Sequence, residues 1–260
     1  MGPPALTPEP LRHAGNPIQE NTMDASSSPR RVVITGAGGA LGRAVAEAFA
    51  DEGARLALID RDVEAMRAHA PVAEAAGWHL PLAADVTSVA SMAGAASTIL
   101  DAFAGVDVLV HVAGGFEMGE PAHALSRESW MRMMDLNAWS LVAVTQHFIP
   151  AMLAQHAGKV IAVTARSASN GAAAMGAYCA SKSALQRLVE SLSHEVRQAG
   201  INVNSIAPGV LDTVANRRSM PHADAQAWVS TASAAHAIAF LASDAAKAIH
   251  GQHLVLDGLS

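Results

Sequence analysis

A single cysteine, Cys179, leaves no pair for a disulfide within the chain, so the fold has to rest on packing alone, and such a chain suits a reducing cytoplasm. Charge is scarce at 15 % of residues, and the 17 basic side chains are outnumbered by 23 acidic ones. A net charge of -6 with no basic stripe argues against nucleic acid as a partner. No apolar run approaches the roughly 18 residues a membrane helix needs, so no membrane partner is expected. Residues 1–30 lack the apolar core of a secretion signal; rich in Pro, Ser and polar residues, they read as a disordered tail. The 12 histidines include no HExxH and no paired spacing with Cys or carboxylates, so no metal site is expected. Aromatic residues make up only 4 %, and tyrosine occurs once, at Tyr178.

What is present is apolar and periodic. Hydrophobic residues reach 51 % of a 260-residue chain, enough for one large domain over residues 31–260 with a substantial core. The stretches RVVITG, RLALID, WHLPLAADV, VDVLVHVAGG, GKVIAVTA, INVNSIAPG and GQHLVLDG read as strands. Helical stretches separate them: RAVAEAFADEG closed by Gly53, residues 62–76, residues 88–103, a long helix over residues 128–155 bent near Pro150, and a helix carrying YCASK. Apolar strands alternating with helices predict a doubly wound α/β fold, a parallel sheet covered on both faces.

Thr35 to Gly42, TGAGGALG, lies between the first strand and the first helix. In that context Gly36, Gly39 and Gly42 let the backbone approach a pyrophosphate, and the start of the helix at Leu41 offers free N–H groups and the positive end of its dipole. Asp60 ends the next strand, 60 − 42 = 18 residues past the last glycine. A carboxylate there accepts from ribose hydroxyls and repels a 2′-phosphate, so NAD(H) is expected over NADP(H), with Arg61 a mild counter-signal. Tyr178 and Lys182 are four apart in a helix and share a face. An ammonium beside a phenol stabilises the phenolate and lowers its pKa, which suits proton transfer near neutral pH.

Together with Asp85–Val86, VAGG at residues 112–115, Asn137 in DLNAW, and Pro208-Gly209-x-x-x-Thr213, these pieces make residues 31–260 resemble the short-chain dehydrogenase/reductases. The resemblance implies a seven-stranded Rossmann-type sheet, a homodimer or homotetramer, and a small-molecule substrate that exchanges a hydride with NAD(H). It implies Tyr178 as general acid/base, Lys182 on the nicotinamide ribose and lowering the Tyr178 pKa, and Asn137 holding a water in the proton relay. Cofactor contacts would come from Gly36, Gly39, Leu41, Gly42, Asp60, Asp85, Val86, Ala113, Gly114, Tyr178, Lys182, Pro208, Gly209, Leu211 and Thr213.

Three positions depart from the family pattern. Ala40 stands where the loop usually has glycine. His111-Val112-Ala113-Gly114 replaces Asn-Asn-Ala-Gly; His111 is expected as a hydrogen-bonded structural histidine. The catalytic serine is normally thirteen residues before the tyrosine, and 178 − 13 = 165 is Ala165. Thr164 would face the other way along the strand, leaving Ser167 and Ser169 as hydroxyls in the following loop. A missing oxyanion donor is worth about 3–4 kcal/mol in a site that uses one. The pieces VAGG, TARSASNGAAAMGAY and LDTVANRRSMPHAD are similar to the dihydropteridine reductase branch, which also carries alanine there and reduces a quinonoid dihydropterin. Ala165, Ser167, Met175 and Arg217 are the expected substrate residues, on a site opened by a short lid. The reading is an NAD(H)-dependent oxidoreductase for a carbonyl, an alcohol or a quinonoid acceptor; a non-catalytic NAD(H)-binding redox sensor is the alternative that Ala165 and Val112 leave open.

Overall fold

The computed structural model describes residues 28–67 and 79–259. Among these residues seven parallel strands form one sheet in the order β3-β2-β1-β4-β5-β6-β9. They are β1 (Arg31–Thr35), β2 (Arg55–Asp60), β3 (His79–Ala83), β4 (Val108–His111), β5 (Gly158–Val163), β6 (Ile201–Pro208) and β9 (His253–Leu256). A short pair, β7 (Leu211–Asp212) with β8 (Val229–Ser230), lies apart from the sheet. Helices α1 (Ala40–Asp51), α2 (Val63–Arg67), α3 (Val89–Phe103), α4 (Arg127–Met134), α5 (Ser140–Gln155), α6 (Gly176–Val196), α7 (Val214–Ser219) and α8 (Thr231–Leu241) complete the described elements.

Alternation along each strand divides the core in two. Val33, Ala57, Ile59, Leu109, Val160 and Val203 point to the face covered by α3, α5 and α6, where Ile99, Phe148 and Leu185 are fully buried. Their neighbours Val32, Ile34, Leu56, Val108, Val110 and Ile161 point to the face covered by α1 and α8, against Phe49, Ile238 and Leu241. Side chains of this size stabilise by about 1.5–3 kcal/mol each when fully buried, so both faces are strongly specified.

The expected strands are all present. The helix expected over residues 128–155 is not interrupted at Pro150; α5 runs through that residue to Gln155. The interruption falls earlier, where α4 passes into a π-helical turn at Asp135–Trp139 before α5 begins. Of the helix expected over residues 62–76, Val63–Arg67 is seen and the remainder lies outside the described residues. The expected tail also lies outside them up to residue 27. Arg30 already belongs to the fold: its guanidinium lies over the Phe49 ring, bonds the Ala242 carbonyl at 3.2 Å and pairs with Glu52. Among the described residues no helix is long and apolar enough to cross a membrane.

Candidate active site

A parallel sheet sends all its carboxyl ends to one edge. The loops after β1 and β4, which are neighbours with crossovers to opposite sides, open a crevice between them. The expected loop residues meet there. Gly36 has φ +70°, and a Cβ on it would lie 2.7 Å from the Ala113 nitrogen. A Cβ on Gly42 would lie 2.1 Å from the Gly36 carbonyl oxygen. These two glycines let the loop fold back against both β4 and the first turn of α1. Helix α1 starts from Gly39 with no side-chain cap, leaving its first N–H groups turned to the crevice edge. Leu41 is buried beneath the loop and holds it by packing rather than by a polar contact.

Asp60 sits at the end of β2. One carboxylate oxygen accepts from the Gly38 N–H at 2.9 Å and the other from the Arg61 N–H at 2.7 Å. Asp85 is exposed past β3, and Thr87 donates to it through both its N–H (2.9 Å) and its hydroxyl (2.7 Å), which holds the Asp85 carboxyl below the usual carboxylate range. Val86 is buried in the core, so only its backbone faces the crevice.

Tyr178 stands in the first turns of α6, half-buried. Burial raises its phenol pKa, and the Ser167 hydroxyl beside it acts in the opposite direction. Ser167 lies on a single 3-10 turn, Arg166–Ala168. That turn is fixed to α6 by Ser183, whose hydroxyl donates to the Ala168 carbonyl at 2.5 Å. Ala165 is buried in extended backbone and brings no polar group. The Thr164 hydroxyl is spent on the Ile206 carbonyl at 2.8 Å. The hydroxyl that reaches the tyrosine is therefore two residues later than the family spacing. The sequence spotted Ser167 as a candidate but had no sign of Ser183.

Lys182 is buried four residues beyond Tyr178 and donates to the Val163 carbonyl at 3.0 Å. Burial lowers its ammonium pKa to about 8. One N–H of the amine is turned to the β5 carbonyl, and among the causes acting on the Tyr178 phenol the Ser167 hydroxyl is the one that lowers its pKa. Gly114 lets the β4 loop approach this amine, since a Cβ there would lie 2.9 Å from Asn137 Oδ1 and 3.0 Å from Lys182 Nζ.

Asn137 is fully buried in the π turn, a type of irregularity that often marks a functional site. Its Oδ1 accepts from the Gly115 N–H at 2.8 Å; its Nδ2 donates to the Gly115 carbonyl at 3.0 Å and to Ser181 Oγ at 3.0 Å. Ser181 in turn donates to the Tyr178 carbonyl at 2.8 Å. Both amide hydrogens are spent tying the β4 loop to the helix that carries Tyr178. His111 forms a second tie. Thr35, its register partner across β1 and β4, bonds Nδ1 at 2.9 Å, and Ser140 bonds Nε2 at 3.0 Å. Ser140 gives its own proton to the Leu136 carbonyl at 2.7 Å, so it accepts from His111 Nε2–H, and Thr35 donates to Nδ1. The ring is neutral, with its pKa lowered to about 3 first by burial and then by the nearby Lys182 charge.

The far wall follows β6. Pro208 closes that strand, Gly209 donates to the Leu256 carbonyl at 2.8 Å, Leu211 packs partly on the core, and the Thr213 hydroxyl caps α7 by accepting from Asn216. Arg217, the candidate substrate reader, gives two bonds, 2.6 and 2.7 Å, to Asp212. Met175, just before α6, lines a small cleft with Met118 and Leu125. Phe116, which nothing in the sequence singled out, meets the Tyr178 ring edge-to-face with centroids 4.9 Å apart. Among the described residues no three His, Cys, Asp or Glu side chains group closely enough to hold a metal ion.

Comparison with known proteins matches this geometry. The family model for short chain dehydrogenase covers residues 30–224. The chain is 38 % identical over 184 residues to a sorbitol dehydrogenase of Cereibacter sphaeroides, covering 70 % of this chain and 71 % of that one. It is 31 % identical over 248 residues to a cis-4-hydroxycyclohexanecarboxylate dehydrogenase of Sinomonas cyclohexanicum, covering 91 % and 98 %. Among solved structures, levodione reductase superposes with a TM-score of 0.81 at 26 % identity, covering 88 % of this chain and 96 % of that one. With a seven-stranded sheet, a glycine-lined crevice at its switch point and a tyrosine–lysine helix beside it, this chain belongs to the short-chain dehydrogenase family, oxidoreductases that use nicotinamide cofactors.

Proposed function

We propose that this protein is an NAD(H)-dependent oxidoreductase that interconverts a secondary alcohol and a carbonyl, with Tyr178 as the proton acceptor or donor. The observation that carries it is the placing of Tyr178 and the buried Lys182 on one helix beside the crevice, where Gly114 lets the β4 loop approach the amine. Ser167, whose hydroxyl acts on the phenol, would supply from a new position the hydroxyl that Ala165 lacks. The resemblance to the serine-free pterin reductases drew its force from that lack, so the alcohol/carbonyl reading is preferred.

The residues fit a nicotinamide dinucleotide. Gly36 and Gly42 form a cradle that side chains would fill, and the uncapped start of α1 is suited to a pyrophosphate. When bound, that cofactor would supply or accept the hydride. Gly36, Gly39, Leu41 and Gly42 would hold the phosphates; Asp60 the adenosine ribose; Asp85 and the Val86 backbone the adenine; and Ala113, Gly114 and Pro208 to Thr213 the nicotinamide end. The Asp60 carboxylate, held at the loop by Gly38, favours NADH over NADPH, because it accepts from a 2′-hydroxyl and repels a 2′-phosphate.

Tyr178 receives the alcohol proton as phenolate, or returns it as phenol, at an oxygen steadied by Ser167. Lys182, with its pKa near 8, holds a mobile proton at the β5 end of the same cavity. Asn137 and His111 keep the β4 loop and the π turn in register with that pair. The test is turnover of secondary alcohols with NAD and with NADP, in wild type and Tyr178→Phe. Loss of at least about 100-fold in the variant with retained cofactor binding is expected. Equal rates would refute the assignment of Tyr178, and a preference for NADP would refute that of Asp60.

A further inference from the structure

The segments that follow β4 and β6 reach the same end of the sheet and frame the entrance to Tyr178. Large apolar side chains stand exposed on both: Phe116 (58 %) and Met118 (59 %) after β4, Val214 and Met220 after β6. Exposed apolar side chains grouped at a catalytic entrance signal a ligand with an apolar body. Two of them are tied directly to the site. The Phe116 ring lies edge-to-face with that of Tyr178, and Met118 shares a cleft with Met175 and Ala177, the residue before the tyrosine.

Several charged groups of the same segments are engaged with partners of their own. Glu117 pairs with Arg132, Glu120 accepts from the Ser126 N–H (2.9 Å) and hydroxyl (3.2 Å), and Asp212 pairs with Arg217. An open-chain polyol has to exchange many water hydrogen bonds for protein ones, which needs donors and acceptors with free valences aimed at it. Here Glu117, Glu120, Asp212 and Arg217 already have partners, while Phe116 and Met118, the exposed groups tied to the Tyr178 site, are carbon and sulfur.

Building on the alcohol/carbonyl reading above, we infer that the substrate is a ring-bearing, largely apolar secondary alcohol or ketone. Its ring packs on Phe116 and Met118 while its oxygen reaches Tyr178 and Ser167. Phe116 is then a specificity-determining residue: it discriminates for rings through its exposed surface beside Tyr178.

The experiment compares kcat/KM for 1-phenylethanol, cyclohexanol and sorbitol with NAD, in wild type, Phe116→Ala and Phe116→Leu. In parallel, calorimetry measures 1-phenylethanol binding to the NAD complex of Tyr178→Phe, with and without Phe116→Ala. The ring alcohols are expected to lead sorbitol by at least about tenfold, and Phe116→Ala to cut them about tenfold, mainly through KM, with Phe116→Leu restoring part of the loss. The same loss is expected in the binding measurement, where no turnover is involved. Sorbitol ahead of the ring alcohols, no turnover of either class, or an equal loss on both in Phe116→Ala would overturn the inference. So would an effect of Phe116→Ala confined to self-association, which would make the patch a contact between copies. Ring-alcohol turnover that survives Tyr178→Phe would instead overturn the tyrosine reading, while a Phe116 effect on binding would still stand.

Discussion

Ser167→Ala is the most informative single change, because it deletes one hydroxyl without altering the 3-10 turn that holds it. The turn keeps its Ala168 N–H to Ala165 carbonyl bond (2.9 Å) and its Ser183 anchor. What is lost is the hydroxyl that favours the Tyr178 phenolate against the upward pull of burial. A hydrogen bond to a charged group is worth about 1.5–3 kcal/mol, or roughly 10- to 150-fold in rate where the phenolate is the proton acceptor. The assay is kcat/KM for alcohol oxidation from about pH 6 to about pH 10. Without the donor the phenol ionises at higher pH, so the acid limb moves up and the deficit is largest near neutrality. It closes at alkaline pH if Ser167 serves the tyrosine alone; a deficit that persists there means the hydroxyl also donates to the substrate oxygen. A variant within twofold of wild type at every pH, with Ala165→Ser raising the rate, would refute the argument and return the serine's role to its usual position.

Three further outcomes follow from groups held away from water or from side chains. Lys182→Met is expected to abolish turnover yet raise stability near pH 7: the ammonium pKa is about 8 folded against 10.5 ordinarily, so the unfolded chain binds the extra proton between these values and the burial cost is full below about 8. Each 1 kcal/mol recovered moves Tm by about 2–4 °C, and the advantage over wild type should vanish by about pH 10.5, as thermal melts across pH would show. For His111, about 3 folded against 6.5 ordinarily, stability is fully present above pH 6.5 and declines as pH falls toward 3; His111→Asn, less stable at neutrality by about 1–3 kcal/mol through its lost ties, should converge with wild type in acid-unfolding curves. Gly42→Ala, whose methyl would meet the Gly36 carbonyl oxygen at 2.1 Å, should lower Tm and weaken NADH binding by about 3 kcal/mol, while Gly39→Ala, at 3.4 Å from the same oxygen, should stay within about 1 kcal/mol; fluorescence titration with NADH separates them.

The strands were legible because alternation in runs such as Val32–Val33–Ile34 serves two faces at once, and the crevice because its glycines sit between a strand and a helix. Tyr178 and Lys182 were legible as a pair, but the direction of the Lys182 amine was not, since a shared helix face says nothing about which carbonyl waits across it. Ser167 was legible as a candidate hydroxyl, but its place beside Tyr178 needed the 3-10 turn, since counting back by the family spacing lands on Ala165. The π turn at Asp135–Trp139 escaped because one extra residue in a turn barely disturbs an amphipathic pattern, whereas Pro150, inside the continuous α5, drew the attention instead. Arg217 looked free because its partner lies five residues away, outside the usual helical spacing. Phe116 carried no pattern at all: a lone aromatic in a loop declares itself only by what it touches.

The bond from the Gly38 N–H to the Asp60 carboxylate has a consequence for how this protein can evolve. A Cβ on Gly38 would lie 3.0 Å from that same carboxylate oxygen, so loop and acid are fitted to each other. Replacing Asp60 to admit a phosphorylated cofactor removes an anchor of the loop in the same stroke, and bulk added at Gly38 pushes the acid away. Selectivity and loop shape are inherited together. A lineage changing one would carry an intermediate impaired in both, and paired substitutions at 38 and 60 are the expected trace of a successful switch.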